Sequence, residues 1–436
     1  MIRRTLLSCF AVLVALPAWA IDIQQVTSPG GIRAWLVQDN SIPFVALDLQ
    51  FDGGASLDIP GQWGAINLMM GLLEEGAGPY GAQEFAEETE RLAARFSFDT
   101  NRDSIGIQAE MLTSNRGEAV ALLREAIIAP LFDPTAIERV RGQVLANIAA
   151  DAQDPSELAV SAFNAAAFGD HPYAQPIAGT TETITALTRD DLVLAHSNVL
   201  ARDRVYVGAA GDINAEELGL LLDTLLGDLP ANGATLPGPA PYLLQGGTTV
   251  VEFPTPQSVA IFGHEGLERL DEDFFAAFVL NQILGGGNFR SRLMEQVRVE
   301  RGLTYGVYSY LATREHRPMW LGQFSSSNSL VAEAIDVIRD IWVDISENGV
   351  TEAEIEAAKL YLTGAYPLRF DGNVTIAGIL TGMQIDEMPV DYITTRNDQV
   401  NAVTQDDVLR VAQRLLRPEN LHFTVVGQPE GLMTGN

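Results

Sequence analysis

Residues 184–211, ITALTRDDLVLAHSNVLARDRVYVGAAG, and residues 400–427, VNAVTQDDVLRVAQRLLRPENLHFTVVG, align with each other without a gap. Only six positions are identical, but the punctuation runs in the same order in both. Each segment opens on a Thr-x-x-Asp helix cap, Thr188 with Asp191 and Thr404 with Asp407. Each continues as an amphipathic helix and ends in an alternating strand closed by a glycine, Gly211 or Gly427. The offset of 216 residues is about half the chain. Matched signals at that distance indicate an internal duplication.

Between the copies, residues 230–247 (PANGATLPGPAPYLLQGG) are rich in Pro and Gly and read as a linker. The organisation expected is therefore 21–230, a linker over 231–247, and 248–436. The predicted fold class is α+β in two homologous halves, each a mostly antiparallel sheet with helices packed on one face. Local patterns fill in the first half. Val45, Leu47, Leu49 and Phe51 alternate with Ala46, Asp48 and Gln50, the period of a half-buried strand. Residues 63–75 read as a helix, 105–111 as a strand and 116–128 as a helix. Asp133-Pro134 caps a further helix whose Ile137, Val140, Val144, Leu145 and Ile148 share a face.

Composition bounds the function. Of 436 residues 47% are hydrophobic and 19% charged, the balance of a folded protein. Fifty-seven acidic against 27 basic residues give a formal charge of −30, which argues against nucleic acid or an anionic membrane as partner. The acidity serves solubility or, on a sharper reading, an acidic cavity that favours basic peptides. Arg3 and Arg4, the apolar run 6–16 and Ala18-Trp19-Ala20 have the three parts of a secretory signal, so export to the periplasm with cleavage after Ala20 is expected. No later run reaches the ~18 uncharged apolar residues of a membrane span. Cys9, the single cysteine, falls inside the leader, leaving no disulfide to stabilise the fold.

No catalytic constellation stands out from the residues alone. His171, His196, His264, His316 and His422 lie outside helical ligand spacing of one another, and no H-x-x-E-H, H-x-x-H or cysteine cluster occurs. There is no G-x-S-x-G elbow, and Gly285-Gly286-Gly287 lacks the Gly-Lys-Ser/Thr of a phosphate loop.

The segment 280–308, LNQILGGGNFRSRLMEQVRVERGLTYGVY, is similar to the second-half signature of the M16 (pitrilysin, mitochondrial processing peptidase) family: a Gly-rich turn, a helix, then an Arg and a Tyr, here Arg298 and Tyr305. Residues 53–58 (GGASLD), 168–173 (FGDHPY) and 177–180 (IAGT) resemble first-half landmarks, so the likeness spans nearly the whole chain. The resemblance implies a zinc motif H-x-x-E-H with a distant glutamate. Alignment on Gly64-Ala65-Ile66 puts Asn67, Met70 and Gly71 at the motif and Asn147 at the glutamate. All four functional positions are replaced, so no metal is expected in this chain. The resemblance then implies a non-catalytic subunit of a heterodimeric zinc peptidase. Zinc would reside in an H-x-x-E-H-bearing partner. Arg298 and Tyr305 would act in trans on its peptide substrate, and Gly285, Gly286 and Gly287 would touch that peptide. The alternative is a catalytically dead peptide-binding or scaffold protein of the same fold. On the residues alone, Arg298 near Glu295 and Glu300 reads first as a solvated helix pair, and Tyr305 as packing.

Overall fold

The computed structural model describes residues 22–286 and 289–432; the expected leader and Gly287 lie outside the described residues. Among the described residues no helix is long and apolar enough to cross a membrane.

The first half forms a six-stranded sheet from β1 (Gln24–Thr27), β2 (Arg33–Gln38), β3 (Phe44–Asp52), β4 (Arg95–Thr100), β5 (Ser104–Leu112) and β6 (Val205–Gly211), in the order β1-β2-β6-β3-β5-β4. The second half forms a five-stranded sheet from β7 (Gly247–Glu252), β8 (Gln257–Glu265), β9 (Val307–Ala312), β10 (Met319–Ser327) and β11 (His422–Gly427), in the order β9-β10-β8-β11-β7. Neighbours are antiparallel except for one parallel pair in each sheet, β2 with β6 and β7 with β11. The repeat ends on these two strands: β6 and β11 take the same place in their sheets.

The helices used below are α1 (Ala65–Met70), α2 (Arg116–Ile128), α3 (Pro134–Asp151), α4 (Pro155–Phe168), α5 (Arg189–Val199), α6 (Phe274–Leu284), α7 (Val331–Asn348), α8 (Glu352–Ala365), α9 (Asn373–Ile385), α10 (Tyr392–Ala402) and α11 (Gln405–Leu415). The repeated caps form as expected. Thr188 N–H donates to Asp191 at 2.7 Å, and Thr404 N–H to Asp407 at 3.0 Å, each in a reciprocal box with its threonine hydroxyl. Asp133 accepts from the amides of Thr135 and Ala136 and so starts α3. Each half buries its own core between one sheet face and its own helices. Leu47, Leu49, Phe51 and Ile107 meet α1, α2 and α5 in the first half. Phe262, Trp320 and Phe423 meet α6, α7 and α11 in the second.

Two local expectations need correction. The helix expected over 63–75 is only α1, six residues long. Gly64 stands at φ +88°, where an added Cβ would approach the Ala178 carbonyl oxygen to 2.5 Å, so the helix cannot begin earlier. After Gly71 the chain turns back while Leu72 and Leu73 stay buried, so their apolar character reflects packing, not helical period. Second, β3 is buried on both faces: Ala46 and Asp48, the residues read as facing water, are covered too. The cover is α9, which crosses from the second half onto β2, β3 and β6. In return α4 of the first half packs on β8 and β11. The linker segment is likewise laid against both halves: Ala240 N–H donates to His316 O and Leu243 N–H to Ala167 O, each at 2.9 Å.

Candidate functional site

Of the four positions aligned with a metal site, Met70 and Gly71 serve packing, while Asn67 faces a cavity and Asn147 faces solvent. Asp58 accepts from the amides of Gly64 (2.6 Å) and Ile66 (3.0 Å) and thereby caps α1, which explains the acid at the end of the GGASLD segment. Burial pushes the Asp58 carboxyl up to about 7 against the pull of those two amides. On α1, Met70 is 1% exposed and belongs to the apolar core. Gly71 has no side chain, and an added Cβ would meet Val140 Cγ1 of α3 at 3.3 Å. Asn67 faces a cavity of about 510 Å³ that α3 and α4 also line, whereas Asn147 is exposed on α3. A buried thioether, a missing side chain and two carboxamides do not make a zinc site: neither anionic oxygen nor imidazole is present to hold the ion. Zinc does not fit these residues. Among the described residues no group of three or more His, Cys, Asp or Glu side chains is placed to hold a metal.

The histidines are used structurally. His196 bonds the Ile127 carbonyl at 2.8 Å. His264 sits between the Glu265 carbonyl (2.7 Å) and the Trp342 indole N–H (3.3 Å), and full burial pulls it down to about 4, so it is neutral. His422 bonds the Gln245 carbonyl at 2.8 Å. The fold does bring His171 and His316 together, ring centroids 6.0 Å apart, beside a Tyr173 hydroxyl that donates to Asp103 at 2.6 Å. That cluster joins the two halves: the same hydroxyl accepts from the His316 amide at 3.0 Å.

The Arg/Tyr element stands on the opposite half. Gly285 is buried; its carbonyl accepts from the Ser309 amide at 2.9 Å, and an added Cβ would run into Ser309 and Leu293. Close approach of β9 therefore accounts for glycine at 285. An added Cβ at Gly286 would meet Gln282 at 2.6 Å. Beyond the turn, Met294–Val299 winds as a π-helix, with Glu300 N–H reaching the Glu295 carbonyl at 2.9 Å. This wider turn carries Arg298, and such turns recur at functional sites. Arg292 holds the segment in place by a two-point bond to Glu354 (2.8 and 3.0 Å) and a third to Asp344 (2.8 Å). Burial alone would raise Glu354, but Arg292 and Thr351 outweigh it and hold the carboxyl down at about 2.

Arg298 has no ion pair among the described residues, so the solvated-pair alternative with Glu295 or Glu300 does not form; its guanidinium lies 4.7 Å over the Phe289 ring instead. Tyr305 is 79% exposed, which removes packing as its role. Its flanks are fixed all the same. Thr304 is buried and its hydroxyl bonds the carbonyls of Ser325 (2.6 Å) and Gly306 (2.9 Å). A rigid frame thus carries a solvent-facing phenol. Phe289, Val299, Tyr308 and Tyr310 are also exposed, so one stretch of chain puts four aromatic rings into water, Phe289 under the Arg298 guanidinium and Tyr308 stacked with Tyr310. The aromatic character of this patch was visible in the sequence, but its exposure was not.

A family profile described as "Peptidase M16 inactive domain" matches residues 186–362, and one described as "Insulinase (Peptidase family M16)" matches residues 33–181. The chain is 29% identical over 373 residues to "Non-peptidase homolog YmxG" of Helicobacter pylori, covering 85% of this chain and 84% of that protein. It is similar to the crystal structure of a peptidase M16 inactive domain from Pseudomonas fluorescens, with a TM-score of 0.87, 27% identity, and 94% and 98% of the two chains covered. A chain of complex III2 from Candida albicans, with Inz-5 bound, shares the fold at a TM-score of 0.76 and 16% identity over 95% of this chain and 97% of that one.

Proposed function

Because this chain belongs to the M16 (insulinase) family of peptidases and carries its inactive form of the fold, we propose that it is the zinc-free subunit of an exported heterodimeric peptidase. Its partner would carry H-x-x-E-H and the metal, and the pair would enclose a peptide between them. Arg298 would bind peptide carbonyls through its planar fork of donors. The Tyr305 hydroxyl would donate to the oxyanion that forms as the scissile carbonyl is attacked.

The observation that carries this reading is the presentation of Tyr305: a phenol held out to solvent by bolted neighbours, seven residues after an arginine without an ion-pair partner among the described residues. A side chain kept only for stability would be packed or paired. Exposed aromatic groups clustered in one stretch also mark an interaction surface.

The test is peptidase activity and metal content of this chain alone and mixed with an H-x-x-E-H protein encoded beside it. Activity only in the mixture is expected. Tyr305→Phe should lower the turnover of the mixture by ~10²–10³, the loss of one oxyanion donor, while the partner keeps its zinc. An unchanged rate would remove Tyr305 from the chemistry. A second reading, a scaffold or peptide-binding protein without any part in catalysis, is favoured by the designation of the H. pylori relative as a non-peptidase homolog. It predicts no activity with any partner.

A further inference from the structure

A larger cavity, of about 600 Å³, lies between α6, α9 and α10 of the second half, with Gln108 of the first half also lining it. It is the duplicated counterpart of the cavity beside Asn67, since α9 follows α4 at nearly the offset of the sequence repeat. The linings differ in sign. Asp151, Glu157 and Glu182 line the first with Arg102 as the only cation, and one nitrogen of Arg102 already donates to the carbonyls of Pro172, Tyr173 and Gln175. Arg269, Arg369 and Arg396 line the second, with Asp386 as the only carboxylate.

Asp386 is taken by Arg269, at 3.6 Å, and Arg269 also donates to the Tyr392 hydroxyl at 2.6 Å. Arg396 is 5% exposed and donates to the Leu362 carbonyl and the Asn397 side chain, both at 2.9 Å. Neither Arg396 nor the exposed Arg369 has a carboxylate partner among the described residues. Burial pulls Arg396 below its ordinary range and the charge of Arg369 adds to the effect. Two uncompensated guanidinium groups in one pocket of a chain with charge −30 form a local well for an anion.

The rest of the wall is apolar and flat. The Arg269 guanidinium lies 4.0 Å over Phe274, and that of Arg396 lies 4.4 Å over Tyr366 and 5.3 Å over Phe278. Of these stacked arginines, Arg269 is taken by Asp386 and Tyr392 and Arg396 spends its Nη1 on Leu362 and Asn397, so Arg396 would meet a planar oxyanion with its remaining nitrogens. The floor is α9, which presents Gly378 and Gly382, one turn apart. Glycine within a helix is destabilising relative to alanine, yet an added Cβ at either position would meet nothing within 4 Å. Packing does not require these glycines; their effect is to leave the cavity open.

We propose that this cavity binds a small amphiphilic carboxylate, its head between Arg369 and Arg396 and its aromatic or branched body against Phe274, Phe278 and the glycine flank of α9. The site is independent of Arg298 and Tyr305. Such a carboxylate is either the C-terminal residue of a peptide or a free aromatic acid. Calorimetry on the purified full chain separates the cases with three probes: N-acetyl-L-phenylalanine, its amide, and 3-phenylpropionate. Saturable binding of the acid, ~10-fold or more tighter than its amide, is expected for a charge-assisted contact. Binding should weaken in R369Q, an exposed position, and disappear in G378L with the thermal melting transition retained. Equal binding of 3-phenylpropionate assigns the site to free aromatic acids, and its failure to bind assigns it to peptide C-termini. Equal binding of acid and amide, no saturable binding of either, or undiminished binding by G378L would overturn the proposal.

Discussion

The two exchanged helices occupy equivalent places and hold them by different chemistry. Under α4, the sheet of the second half offers Val259, Ile261, Met319, Leu321 and Val426, which meet Ala159, Phe163 and Ala167 in a continuous apolar cluster. Under α9, the sheet of the first half offers Val37, Ala46 and Ala210 to Ala377 and Leu380, and the centre of the contact is polar. Register identifies the substituted position. Asp48 pairs with Gln108 and Gly208, and Ile261 pairs with Gln323 and Thr424, so Asp48 and Ile261 are counterparts. Burial pushes the Asp48 carboxyl up against the pull of Thr381, Gln108 and Gln50, and its Oδ1 has no hydrogen-bond partner among the described residues. Gly208 lets α9 come close: a Cβ there would fall 2.0 Å from the Ala377 carbonyl oxygen. Thus one joint is thick and aromatic, the other thin and hydrogen-bonded, with Gln384 reaching the Val207 carbonyl at 2.8 Å. Duplication has preserved the topology while the adhesive at each joint diverged.

The contrast can be broken at its apolar side first. Phe163→Ala, emptying a fully buried ring site, should cost ~3–5 kcal/mol in denaturant unfolding. Leu380→Ala on the thinner joint should cost less, ~2–3 kcal/mol, because fewer large neighbours surround it. Equal losses would mean that the two joints are energetically alike. The smallest change sharpens the comparison by pH. The folded state holds Asp48 above its ordinary 3.8, so it favours the protonated acid. The resulting destabilisation is absent below that value and grows as pH rises through the raised one. Asp48→Asn should therefore raise stability at pH 7, by less than either truncation costs, with the gain shrinking toward pH 4. A pH-independent difference between the two proteins would show that Asp48 is not strained by its burial.

What the sequence disclosed was local. The caps at Thr188 and Thr404, the start of α3 at Asp133 and the strands around Leu47 and Ile107 each depend on residues a few positions apart. Burial on the second face of β3 depends on a helix more than three hundred residues away, and no pattern within residues 44–52 announces it. Residues 63–75 misled because Leu72 and Leu73 continue the apolar run of α1 after Gly71 has ended its geometry. At the candidate site, Arg298 and Tyr305 were found through a resemblance carried by their spacing. The exposure of Tyr305 emerges only with the fold. Arg269, Arg369 and Arg396 were passed over altogether, since they are scattered over more than a hundred residues and meet only where α6, α9 and α10 converge.

The crossing of α4 and α9 also sets an order of events during folding. With residues up to 230 alone, the first sheet is complete in strands, yet its outer face, with Val37, Ala46 and Ala210, is still bare. Its cover ends at residue 385, so the face stays open until α9 has been delivered. Until then α4 holds Phe163 ready for strands that are not yet in place. Neither half can finish alone, and a partly folded chain carries two unsatisfied surfaces that only its own C-terminal part can close.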